Sequence, residues 1–106
     1  MKNLLLGKWS LVEMDQWDPN YINLEKPGYI QFKKDGSGTM HFGCVELDLA
    51  WRCDPGMKHV DFSFEGGAEG TAVSGKGWVK MEGNELLGYI AFHHGEQSGF
   101  KARRIN

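Results

Sequence analysis

Cysteine is scarce. Cys44 and Cys53 are the only two in 106 residues, too few for a disulfide framework. If the stretch VELDLAWRC is one extended strand, roughly 3.3 Å per residue holds these thiols about 30 Å apart, whereas a disulfide needs Cα atoms within ~7 Å. Free thiols in a reducing compartment are the expectation. Basic charge is also lacking: 12 Lys and Arg stand against 14 Asp and Glu, for a net charge of -2. That balance gives no electrostatic reason to expect a nucleic acid or an anionic membrane as partner, and Lys101, Arg103 and Arg104 form too small a cluster to change this. Long apolar runs are missing too. Leu4 to Leu6 fall short of the ~7–15 apolar residues of a signal-peptide core, so the sequence reads as cytoplasmic. Helical apolar spacing is not sustained for two turns anywhere.

Glycine, by contrast, is abundant. Fifteen glycines are about twice the usual ~7%, and they are scattered among strand-like runs as turn and bend residues would be. A chain of this length fits one domain, 1–106, with one modest core; folding would bury roughly 65% of the surface the unfolded chain exposes.

Alternation with period 2 dominates. Eight runs carry it: GKWSLVEM, GYIQFKK, GTMHF, VELDLAWRC, KHVDFSFE, TAVSGKGWVKM, ELLGYIAF and GFKARRI. Between them lie turn segments at 34–38 (KDGSG), 54–56 (DPG), 65–70 (EGGAEG), 82–84 (EGN) and 93–99 (HHGEQSG). Links this short join antiparallel neighbours. At Gly43-Cys44 the apolar phase changes from even to odd positions, which marks a tight turn or a bulge; the turn is preferred. The one long connection, DQWDPNYINLEKP at 15–27, has the length of a functional lid. The expected fold is therefore all-β: a single eight-stranded antiparallel up-and-down barrel, whose closure removes sheet edges. Its inward set is Trp9, Leu11, Ile30, Phe32, Met40, Phe42, Leu47, Leu49, Trp51, Val60, Phe62, Phe64, Val79, Ile90, Phe92, Phe100 and Ala102.

Gly7 and Trp9 on the first strand, preceded by a short apolar turn and answered by an arginine on the last, resemble the signature of the calycin superfamily of lipocalins, fatty-acid-binding proteins and avidins. The resemblance implies a calycin-like barrel with Arg104 packed across the Trp9 indole, Arg103 being the alternative. The build is also similar to that of small bacterial proteins of this kind, a likeness that implies no activity. Lipocalins are longer and usually carry a C-terminal helix that is missing here.

A meander places links one, three, five and seven at one end, which gathers the long connections at one mouth. The functional expectation is a binding module for a small apolar or aromatic ligand at that end. Trp17 and Tyr21 would form a lid. Trp51, Trp78 and Tyr89 would form walls, with Glu65, His93 and His94 for polar selection and Cys44 at the same mouth. The rival is a solid barrel that pairs as a homodimer, because ELLGYIAF is apolar on both faces. An enzyme using His93 or His94 as acid or base is a lesser alternative.

Other chemistries find little support. GTAVSGKG lacks the Ser or Thr of a phosphate-binding loop and continues as a strand. His59, Asp61 and Ser63 sit on one face of one strand at about 6.6 Å intervals, too far apart for a catalytic relay. No G-x-S-x-G elbow occurs. No zinc-motif spacing occurs either; a transition-metal site would have to combine His93 or His94 with Cys44 and Glu65, and the two histidines could share a site only from within a loop. A haem held by one apical histidine would need interior space that the aromatic residues already claim. No cofactor is expected.

Overall fold

Antiparallel pairing runs unbroken round the molecule in the computed structural model, which describes residues 5–53 and 59–105. The strands are β1 (Gly7–Met14), β2 (Tyr29–Phe32), β3 (Ser37–Phe42), β4 (Val45–Cys53), β5 (His59–Ala68), β6 (Thr71–Glu82), β7 (Glu85–Phe92) and β8 (Gln97–Arg104). Each pairs with its sequence neighbour, and β1 pairs with β8 to complete a closed eight-stranded up-and-down barrel. The turn read at 54–56 and Lys58 lie outside the described residues, as does the side chain of Cys53. Among the described residues no helix is long and apolar enough to cross a membrane.

Some links depart from their sequence reading and others follow it. The segment at 65–70 is mostly strand: β5 continues through Gly66, Gly67 and Ala68, and the turn contracts to Glu69 and Gly70, both at positive φ. Gly43-Cys44 is the two-residue hairpin expected, with Phe42 opposite Val45. There Gly43 has φ +58°, and a Cβ on it would lie 2.1 Å from the Tyr21 ring, so glycine meets two demands at once. The long connection contains a one-turn helix, α1 (Pro19–Ile22). Asp18 caps it by accepting from the Tyr21 N–H, and Pro19 occupies the first turn, where its missing N–H costs nothing.

The proposed inward residues are buried, apart from the half-buried Phe92, and Leu5, Met14, Ile22, Val45 and Leu86 join them. Met14 faces inward because the β1–β8 register slips between Leu11 and Glu13, a bulge that reverses the alternation. A string of aromatic rings fills the interior lengthwise. Trp51 meets Phe32 at 5.8 Å, Phe32 meets Phe62 at 6.5 Å, Phe62 meets Phe64 at 6.4 Å, and Phe64 meets Phe92 at 5.2 Å. Trp17 then bridges Phe92 (6.3 Å) and Phe42 (4.8 Å). These separations are those of favourable tilted and edge-to-face pairs. Gly75 and Gly77 make room for the rings of Phe64 and Phe62, which lie 2.6 and 2.7 Å from where a Cβ would stand.

At the end where β1 starts, Trp9 is 1% exposed and its Nε1–H donates to the Leu5 carbonyl at 2.9 Å. The Arg104 guanidinium lies 4.2 Å from the indole centre and donates to the Leu6 carbonyl at 2.7 Å. That is the contact expected of Arg104, while Arg103 pairs with Glu85. Gly7, at φ +116°, supplies the left-handed bend that leads into this seal.

Candidate functional site

The loop-rich mouth is plugged. Ile22 is fully buried, Trp17 sits on Phe42 and Phe92, and the Gly43 N–H donates to the Ile22 carbonyl at 3.0 Å. The connection begins tied to β8, where Asp15 N–H donates to the Gly99 carbonyl at 3.0 Å and Ser98 Oγ accepts from Gln16 N–H at 3.2 Å. His41 is 2% exposed although it belongs to the outward parity of β3, and its ring stacks on Tyr29 at 6.2 Å. His41 Nδ1 lies 2.6 Å from Glu46 Oε2, and its Nε2 is buried with no hydrogen-bond partner among the described residues.

The nine residues singled out from sequence fall into separate places. Tyr21 and Cys44 come together: the Tyr21 hydroxyl donates to Glu69 at 3.2 Å and accepts from the Cys44 N–H at 3.4 Å. Desolvation pushes the Tyr21 phenol above its ordinary value, and the Glu69 carboxylate adds to this against the lowering effect of the Cys44 N–H. Desolvation, then Glu25 and Glu69, push the Cys44 thiol up as well, so it is a poor nucleophile near neutral pH. Trp17 is the plug. Trp51 is in the core at the opposite end, its Nε1–H shared between the carbonyls of Lys33 and Ser37. Trp78 and Tyr89 stack on the outside of β6 and β7, 6.4 Å apart with planes 21° from parallel.

Glu65, His93 and His94 line an open groove of about 1010 Å³ on the outer face of β4 to β7 near the loop-rich end. Strand register builds it. Asp48 stands opposite Glu65, Glu65 opposite Ser74, and the His93 N–H donates to the Ser74 carbonyl at 2.7 Å. These four side chains form one outward row with strands about 4.8 Å apart. The next row is Ala50, Ser63, Lys76 and Ala91, and the small side chains of Ala50, Ser63 and Ala91 leave the hollow on either side of Lys76. Two carboxylates directly opposite each other repel, and among the described residues neither Asp48 nor Glu65 has an ion-pair partner.

The histidines belong to the four-residue turn between β7 and β8, which the Phe92 N–H closes by donating to Glu96 at 2.9 Å. His94 has φ 59°, a left-handed conformation uncommon outside glycine. Cys44 is on the β3–β4 turn, so the structure does not unite it with Glu65 and the histidines. Neither imidazole is hydrogen-bonded to a carboxylate or hydroxyl among the described residues, hence no oriented acid–base pair is present. Asp48, Ser63, Ser74 and Lys76 also line the groove, and the sequence did not single them out; the signal for a groove is the placing of Ala50, Ser63 and Ala91 in one row across registered strands.

No family model, curated protein or solved structure matches the chain.

Proposed function

We propose that this chain is a calycin-like binding module whose barrel is a solid scaffold and whose ligand binds on the outside, in the β4–β7 groove beside His93 and His94. The observation that carries this reading is the placement of this hollow near the loop-rich end, against three of the residues singled out for ligand selection. The calycin-like assignment is supported by Gly7, Trp9 and the Arg104 contact. The ligand is small, with a flat apolar or aromatic body against Ala91. A cationic substituent on it would relieve the opposed carboxylates of Asp48 and Glu65.

Native mass spectrometry of freshly purified protein, followed by amide chemical-shift mapping with aromatic amines such as tryptamine and benzylamine, tests this. Retained or added mass, with shifts centred on Ala50, Ser63, Lys76 and Ala91, is the expected result, and Ala91→Phe should abolish both by filling the hollow. Binding that survives Ala91→Phe, or no binding by any probe, removes the reading.

A second reading, a homodimer through the outside of β6 and β7, is favoured by Trp78, which is 37% exposed beside Tyr89. Leu87, Tyr89 and Ala91 are already half-buried within one chain, which reduces what a partner could cover. The same spectra report subunit number, and a monomer at all concentrations excludes it.

A further inference from the structure

Four histidines occur in the chain, and two are already engaged. His41 is buried against Glu46, and His59 Nε2 lies 3.5 Å from Asp61. His93 and His94 are different. On a regular strand they would point to opposite sides; the turn instead sets their ring centres 4.1 Å apart, with planes tilted 53°. Both are exposed, both line the groove, and neither ring makes a hydrogen bond or ion pair among the described residues. Their backbone is nonetheless pinned, by the His93 N–H on Ser74 and by Gly95 N–H on the Phe92 carbonyl at 3.0 Å.

We propose that His93 and His94 together chelate a late first-row divalent cation, copper(II) foremost, at the rim of the groove. Two imidazoles bound side by side on one square-planar metal, at ~2.0 Å per nitrogen, hold their ring centres about 4.5 Å apart. The observed 4.1 Å therefore asks for a small rotation of side chains that nothing else restrains. Two nitrogens with water completing the coordination form a mixed nitrogen–oxygen set, which favours copper(II) or nickel(II). Zinc is the weaker fit, because its sites take three or four protein ligands. Among the described residues no group of three or more His, Cys, Asp or Glu is arranged to hold a metal. Asp48 and Glu65 on the same groove raise the local concentration of a cation. This site does not depend on the organic ligand proposed above, and either can exist without the other.

Titrating the full chain with copper(II) in a non-chelating buffer at pH 7.5, by calorimetry and electron paramagnetic resonance, tests the site. One equivalent per chain with hyperfine splitting from two nitrogens is expected. His93→Gln and His94→Asn should each weaken binding at least about tenfold, since each removes the second, intramolecular ligand; asparagine also tolerates the left-handed backbone. His59→Gln should bind as the parent does. Undiminished binding in the double variant, a one-nitrogen spectrum, or no binding at micromolar copper overturns the proposal.

Discussion

Asp35 shows how a single exposed side chain fixes a turn. Its carboxylate accepts from the Ser37 N–H at 2.9 Å and from the Ser37 hydroxyl at 2.6 Å, closing the β2–β3 link. These bonds favour the ionised form, the hydroxyl first and the amide second, and hold the carboxyl below the usual carboxylate range. A folded-state pKa below the unfolded one adds stability that is present above the unfolded value and is lost as pH falls through the folded value. Asp35→Asn should therefore be less stable than the parent at pH 7, with the gap closing as both are unfolded in urea at progressively lower pH through the carboxylate range. A gap that stays constant down to pH 2 would contradict the assignment. Arg104 acts at the same scale at the other seal, where its contact with Trp9 has the geometry of an interaction worth ~0.5–2 kcal/mol. This pairing was legible from parity with Phe100 and Ala102, because alternation assigns each strand residue to a face.

Among the elements, the 15–27 connection, whose length is that of a functional lid, packs into the end of the barrel. Turn-forming residues mark it as a loop, yet Ile22 is fully buried and Trp17 completes the aromatic string. Period-2 counting could not place either side chain, since a loop has no parity to follow. Ile22→Ala should cost about 2–5 kcal/mol, read as a lower urea midpoint with the slope unchanged. If the connection were a free lid, the loss would be close to zero. The β1 bulge explains a second gap: Met14 follows Leu11 by three positions, and alternation alone put it outside. The candidate groove was least legible, because it needs the register of β4 through β7, which no single strand contains.

For the molecule as a whole, closure was readable in the number of apolar runs and the shortness of their links. Filling of the interior was foreshadowed by the size of its aromatic residues. The described ends meet at the seam: Trp9 stands opposite Arg104, and Ile105 N–H donates to the Lys8 carbonyl at 3.1 Å. Joining the chain after residue 105 to the segment before residue 5 by a short flexible linker, and opening it at the exposed Gly83-Asn84 turn, should give a folded permutant. Its circular dichroism and amide spectrum should match the parent's. A molten permutant would mean that the seam between β1 and β8 works only in its original connectivity.

That seam also sets an order of events during synthesis. β1 is translated first of the eight strands, and the strand that covers its open side, β8, follows roughly ninety residues later, a wait of about 5–20 s at ordinary elongation rates. Throughout that interval the nascent sheet carries an unpaired flank rich in Trp9, Leu11 and Val12, so the time of greatest exposure to chaperones and to other chains falls before the last strand is made.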